Sequence, residues 1–128
     1  MSMISKYTLS HIVKHVNGDD IDFNTKNVTL EHVLPRNVTD EWNEFSEMEH
    51  EENLYRLGNY VLLEDSINKE AGNQVFEAKS KLYETSQFGM TRKLAEENTT
   101  WNPERINRRQ LWMANLAKTI WRVDQIGR

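Results

Sequence analysis

Two stretches of sequence decide the fold, VTLEHVLP at residues 28–35 and LGNYVLLEDSINK at residues 57–69. The first is short, β-branched and ended by a proline, which is typical of a β-strand. The second begins with a turn, continues as the apolar run of residues 60–63, and offers a helix start at Asp65 or Ser66. We therefore expect two strands followed by a helix at the centre of the chain.

Amphipathic segments flank this centre. Apolar residues at helical spacing predict helices over residues 4–16, 40–49, 65–85, 90–97 and 103–123. Asn17 and Gly18 would end the first helix, a polar, acidic connection would span residues 19–27, and Thr39 would cap the second helix. The second helix would bury Trp42 and Phe45, and Trp121 would belong to the apolar stripe of the last. The predicted fold class is α+β, mainly α, with helices around a small central hairpin.

Length and composition exclude several classes of protein. A chain of 128 residues can bury one sizeable core, so we expect a single domain over residues 1–128. Cysteine is absent, which excludes disulfides and cysteine zinc sites. No apolar run approaches the roughly 20 residues of a membrane span. We therefore expect a protein with no membrane partner.

The net charge of −4 conceals an asymmetry along the chain. Residues 19–52 contain eleven acidic residues and only two basic ones, whereas residues 101–128 contain six basic and two acidic residues. The acidic part could hold a metal ion or repel a phosphate backbone, and the basic part could attract one. Ordinary solvated helix faces would give the same composition.

Four polar residues lie where the strand ends and the helix start would meet: Glu31, His32, Asn59 and Asn68. Glu31 and Asn68 offer the oxygen ligands that Mg²⁺ or Mn²⁺ prefers, and a neutral His32 could accept a proton from water. A base and a hard metal ion are sufficient for phosphodiester hydrolysis. Adjacent residues of a regular strand point to opposite faces, so Glu31 and His32 can share a site only where the strand is twisted or frayed.

The same residues carry a family resemblance. The matching positions are residues 31–35, residues 57–63, Asn68, Asn73, Phe76, Lys79, Trp101, Ile106, Arg109 and Trp121. In this order and spacing they resemble the HNH (His-Me finger, ββα-metal) nuclease core. More narrowly, they resemble the GmrSD-type C-terminal nuclease domain of modification-dependent, type IV restriction enzymes. The resemblance covers residues 5–123, with the ββα core at about 28–85 and the C-terminal helix at about 103–123.

The resemblance implies a role for each residue of the site. His32 would be the general base, and Asn59 would brace the loop behind it. Glu31 and Asn68 would bind one divalent ion, Mg²⁺ or Mn²⁺, that stabilises the departing 3′ oxygen. Lys79 falls on a lysine of the family and would contact a DNA phosphate.

Residues of the last helix offer further phosphate contacts. Arg105, Arg108 and Arg109 follow helical spacing on one face, so Arg108 and Arg109 are candidates for gripping a DNA phosphate. Arg109 could instead be a partly buried arginine that braces an acid. Asn68 has an alternative as a helix cap, Glu31 as a surface ion-pair partner and Asn59 as a turn residue.

We expect the histidines outside the hairpin to lie at the surface without a metal-binding role. His11 and His15 are four residues apart on the first predicted helix, a spacing that could bind a metal ion, but no carboxylate accompanies them in register. A surface role is therefore expected for both. His50 lies in an acidic run, and we expect it to be solvated.

The predicted function is that of a metal-dependent DNA endonuclease, the cleavage domain of a prokaryotic, cytoplasmic restriction or anti-phage system. By the resemblance, its partners would be DNA, including modified phage DNA, and an N-terminal nucleotide-hydrolysing sensor domain or subunit. The chain would then be a C-terminal fragment or one of a split pair. A single site per chain makes a homodimer one option for cutting both strands. The alternatives are a catalytically silent module that binds DNA or a sensor protein, and a purely structural helical partner.

Overall fold

The computed structural model describes residues 2–18 and 27–126. Helices α1 to α6 span Ser2–Asn17, Glu47–Asn53, Asp65–Ala71, Phe76–Tyr83, Gly89–Glu97 and Pro103–Ile126. Strands β1 and β2 span Val28–His32 and Tyr60–Glu64, and a 3₁₀ turn at Leu57–Asn59 precedes β2. The described part of the chain is therefore mainly helical with one small sheet, which confirms the α+β class. The connection predicted for residues 19–27 lies, except for Asn27, outside the described residues.

The two strands form an antiparallel sheet with a core on each face. His32 pairs with Tyr60 at one end of the ladder and Val28 pairs with Glu64 at the other. Because side chains alternate along a strand, Val61 and Leu63 pack into one core with α4 and α5, and Tyr60 and Leu62 pack into a second core with α1 and α6. Residues 60–63 are accordingly all buried. This double burial explains why the second strand is a continuous apolar run.

Two predicted helices are wrong in their bounds. No helix spans residues 40–49; α2 begins at Glu47 because Ser46 and Glu49 form a reciprocal capping box. The helix predicted over residues 65–85 is broken into α3 and α4, since Gly72 adopts a φ of 45° that ends α3.

The aromatic residues divide between core and surface. Trp42 and Phe45 are buried as predicted, although they lie in turns before α2. Trp121 is 53% exposed, so the predicted apolar stripe of α6 does not include it as a core residue. Of the helices in residues 2–18 and 27–126, none is long and apolar enough to cross a membrane.

Candidate active site

The end of β1 and the segment that follows it form the frame of the site. The strand stops at His32, and Val33 and Leu34 continue as a bend with no exposed surface. The backbone N–H of Val33 donates to the carbonyl oxygen of Asn59 at 2.9 Å. Pro35, which lacks an N–H, follows directly and is buried. The chain after His32 is therefore held against the turn that leads into β2.

The Asn59 side chain fixes this bend. Its Oδ1 accepts from the Leu34 N–H at 2.8 Å and from Trp101 Nε1 at 3.0 Å. Its Nδ2 donates to the carbonyl oxygens of Leu34 and Leu54, both at 3.1 Å. All four contacts of the amide are internal, and Asn59 has no exposed surface. Such an amide cannot touch a substrate, but it is placed as a bracing role requires.

The turn before β2 is locked onto α6. A Cβ at Gly58 would lie 2.4 Å from the carbonyl oxygen of Ile106, so no other residue fits there without movement of the helix. The Gly58 N–H donates to Gln110 Oε1 at 2.6 Å, and Arg109 donates to the Gly58 carbonyl oxygen at 3.1 Å. The last helix thereby sets the position of Asn59, and through it the bend after His32.

His32 is half-buried at this end of the sheet. Its ring packs edge-on against Tyr60, with centroids 4.8 Å apart, and against Tyr55 at 6.1 Å. Burial, together with the positive charges of Arg36 and Lys79, lowers the pKa of His32 from 6.5 to about 4. The imidazole is therefore neutral at pH 7, and a neutral imidazole can accept a proton from water.

Glu31 lies on the opposite face of β1 and is 4% exposed. Its Oε2 accepts a hydrogen bond from the Tyr83 hydroxyl at 2.9 Å and lies 3.3 Å from Lys79 Nζ. Burial raises the pKa of Glu31, while Lys79 and Tyr83 oppose that rise by favouring the charged carboxylate. Buried charges persist in proteins when they are paired and hydrogen-bonded in this way.

Asn68 lies in α3, over the same face of the sheet as Glu31. Its Nδ2 donates to Thr29 Oγ1 at 2.7 Å, and Thr29 is two residues before Glu31 on β1. The structure thus places Glu31 and Asn68 on one face and His32 on the other. The alternation of a regular strand, which reaches as far as His32, separates the residues that sequence reasoning grouped.

Glu31 and Asn68 could bind a divalent metal ion only after a rearrangement of the contacts of Glu31. The Glu31 carboxylate is already neutralised by Lys79, and an ion that also binds substrate needs an open, partly hydrated site. Within residues 2–18 and 27–126, no group of three or more His, Asp or Glu side chains is placed to hold a metal. Metal binding by Glu31 would require it to exchange its contacts with Lys79 and Tyr83.

The three predicted phosphate contacts lie in different surroundings. Lys79 has no exposed surface, and its Nζ donates to the carbonyl oxygens of His32 and Val33 at 3.0 and 3.1 Å. A wholly buried ammonium cannot reach a phosphate, so this prediction is corrected and Lys79 is assigned to the interior. Arg109 is partly buried and donates to the backbone carbonyls of the turn, not to an acid. Only Arg108 is exposed, in an ion pair with Glu104 at 3.0 Å.

Several residues of this region escaped sequence reasoning. Tyr83 follows Lys79 by four residues, and helical spacing places both on one side of the helix, but it does not signal that both contact Glu31. Trp101 donates to Asn59 from 42 positions away, and no local pattern signals such a contact. His50 is half-buried with its Nε2 2.8 Å from the Pro35 carbonyl oxygen, so the prediction that it is solvated is wrong. His11 and His15 are exposed, as predicted.

Comparison with known proteins identifies the family. No curated protein matches the sequence. The sequence matches the family described as GmrSD restriction endonucleases, C-terminal domain, over residues 2–116, which is most of the chain. This chain belongs to the family of GmrSD restriction endonuclease C-terminal domains.

Proposed function

We propose that this domain hydrolyses phosphodiester bonds of DNA as an HNH-type endonuclease, with His32 as the general base. The observation that carries the proposal is His32 itself, a half-buried imidazole with a pKa of about 4 in a chain of the GmrSD family. The bend that follows it is fixed by Asn59. A side chain that is neutral at pH 7 has a free nitrogen lone pair with which to accept a proton from water.

The reaction begins when His32 takes a proton from a water molecule. The water oxygen then bonds to phosphorus as the bond from phosphorus to the 3′ oxygen breaks. The departing oxygen takes a proton from solvent, which leaves a 3′ hydroxyl and a 5′ phosphate. Asn59 acts as a positioning residue because it is buried and reaches the reaction only through the backbone of Leu34.

We propose that the activity depends on Mg²⁺ or Mn²⁺, with Glu31 and Asn68 as the protein ligands. The support for this pair is chemical: both side chains carry oxygen donors, and both lie over the same face of β1. Lys79 would have to give way before the Glu31 carboxylate could bind an ion. The proton transfer to His32 described above is independent of which residues hold the metal.

The biological setting proposed for the domain follows from its family. Restriction of foreign DNA in a prokaryotic cytoplasm, with a nucleotide-hydrolysing sensor domain or subunit, is the role proposed here. A homodimer would supply two sites for cutting both strands. Modified phage DNA is the proposed target.

Nicking of supercoiled plasmid tests the proposal. The protein is incubated with Mg²⁺, Mn²⁺ or EDTA, and the ends of the product are analysed. The expected result is nicking with either metal, none with EDTA, and 5′ phosphates at the nicks. Absence of nicking under every metal condition by a folded chain that binds DNA would contradict the proposal.

A second candidate is the catalytically silent module, which one observation favours. The buried ion pair with Lys79 leaves the Glu31 carboxylate closed to a metal ion. The silent module predicts an unchanged thermal midpoint on addition of Mg²⁺ or Mn²⁺, because a ligand that does not bind cannot stabilise the native state. The proposed nuclease predicts a rise that EDTA reverses and that Glu31→Gln reduces.

A further inference from the structure

A groove of about 320 Å³ lies between α5 and α6. Four basic side chains line it, Lys93 from α5 and Arg105, Arg108 and Arg109 from α6, together with a single acidic one, Glu97. This concentration of positive charge occurs in a chain whose net charge is −4. The groove is therefore electrostatically opposite to the protein as a whole, and it favours an anionic ligand.

Three of the four basic side chains of the groove, Lys93, Arg105 and Arg108, are only weakly engaged by the protein. Lys93 lies 3.8 Å from Glu97 and Arg108 lies 3.0 Å from Glu104, and both pairs are solvent-exposed. Arg105 donates to the neutral amide oxygen of Asn98 at 3.4 Å, with no carboxylate of the described residues in ion-pair contact. Exposed ion pairs contribute little to stability because water screens both charges. A ligand phosphate could therefore recruit these cations at little cost.

Apolar side chains also line the groove, and Arg109 connects it to the hairpin that carries His32. Trp112 and Leu94 line it, and Lys93 Nζ lies 5.2 Å from the centroid of the Trp112 ring. Arg109 joins the groove to the hairpin by donating to the Tyr60 carbonyl oxygen. Tyr60 is the cross-strand partner of His32. A polymer in the groove would thus lie against Arg109, which contacts the cross-strand partner of the proposed base.

We propose that this groove binds the phosphodiester backbone of the DNA substrate, with Lys93, Arg105 and Arg108 contacting phosphates and Trp112 providing an apolar wall. The inference rests on the proposed function for the identity of the ligand. In this proposal, Lys93 and Arg105 take the place of Lys79 and Arg109 as phosphate contacts, because their charges are accessible. Several cations supplied by two helices suit a chain of phosphates better than a single anion.

Binding of a fluorescent double-stranded DNA at several salt concentrations tests this groove. The experiment uses the His32→Ala chain, so that the DNA is not cut during titration. In that background, Lys93→Gln combined with Arg105→Gln is compared with Lys81→Gln combined with Lys118→Gln. The second pair removes the same charge from exposed positions outside the groove. Thermal midpoints verify that all the chains are folded.

The groove variant is expected to raise the Kd roughly tenfold or more and to reduce the salt slope by about two, roughly one for each lost phosphate contact. The control variant should change neither by a comparable amount. Equal weakening by both variants would show a diffuse charge effect and overturn the proposal. Unchanged binding by both would show that the groove does not contact DNA, and would also overturn it.

The binding experiment, combined with the plasmid nicking test of the wild-type chain, separates this inference from the proposed function. If the wild-type chain never nicks DNA but the groove variant loses binding, the nuclease fails and the groove stands. If the wild-type chain nicks DNA and the groove variant binds as well as its control, the groove fails and the nuclease stands.

Discussion

Glu31 and His32 are neighbours in the chain, but they lie in opposite surroundings. Glu31 is buried between Lys79 and Tyr83, where its charge is compensated by an ammonium and a hydroxyl. His32 faces the other side of the sheet, half-buried against two tyrosine rings and neutral at pH 7. One residue of strand alternation thus separates a buried carboxylate with a compensated charge from a half-buried, neutral imidazole.

The largest loss of stability is expected when the buried ion pair of Glu31 with Lys79 is broken. Lys79→Met leaves a buried carboxylate without its cation and removes the donor to the carbonyls of His32 and Val33. We expect the free energy of unfolding to fall by about 3–5 kcal/mol in urea denaturation. Lys69→Met is the matched control, since Lys69 forms an exposed pair with Asp65 and should cost less than about 1 kcal/mol. Equal losses in both variants would refute the buried pair.

A somewhat smaller loss of stability is expected when the side chain of Asn59, which fixes the bend after His32, is removed. Asn59→Ala leaves the N–H of Leu34, the carbonyls of Leu34 and Leu54, and the Trp101 indole without their partner. The expected cost is about 3 kcal/mol, and nicking should fall even at temperatures where the variant is folded. Asn73→Ala, at an exposed position, serves as the control. Full activity of folded Asn59→Ala would show that the bend needs no brace.

The lowered pKa of His32 should make the free energy of unfolding depend on pH between 6.5 and 4. Folded His32 takes up a proton near pH 4, whereas the unfolded side chain does so near 6.5. Between these values the unfolded state binds more protons, so the free energy of unfolding decreases as the pH falls from 6.5 to 4. Allowing for partial exposure, the contribution is about 2 kcal/mol. His32→Gln should remove this part of the slope; an imidazole NMR titration with a midpoint near 6.5 would contradict the assignment.

A smaller stability change than that of Lys79→Met is expected when the Glu31 pair is replaced as a unit. Glu31→Leu combined with Lys79→Met removes both charges together, so the variant should be more stable than Lys79→Met alone, although the Tyr83 hydroxyl and the carbonyls of His32 and Val33 lose their partners. It should nevertheless fail to nick DNA if Glu31 is a metal ligand, as proposed. A double variant less stable than Lys79→Met alone would contradict the compensation between the two charges. Nicking at the wild-type rate would limit Glu31 to a structural role.

Sequence reasoning was most successful where a local signal dominates. The strands, the turn at residues 57–59 and the start of α6 at Pro103 follow from apolar runs, Gly58 and a helix-start motif, all of which act over a few residues. The break at Gly72 was missed because apolar spacing continues across it. The predicted start of α2 is wrong although Ser46 and Glu49 have the spacing of a capping box.

The candidate site was less accessible to sequence reasoning. The contacts of Asn59 with Trp101 and of Glu31 with Lys79 join residues more than 40 positions apart, and only folding brings them together. The burial of Lys79 also depends on α4 packing against the sheet. The family resemblance implied that its charge contacts a phosphate, whereas in the structure it contacts a carboxylate and two carbonyls.

The central claim is that His32 is the base of a nuclease, and chemical rescue tests it most directly. Plasmid nicking is measured at pH 7 with Mg²⁺ for the wild-type, His32→Ala and His15→Ala chains, with and without added imidazole. We predict at least roughly a 100-fold loss in His32→Ala, partial recovery with imidazole, and no loss in His15→Ala, whose side chain is exposed on α1. Nicking by folded His32→Ala at the wild-type rate would contradict the claim.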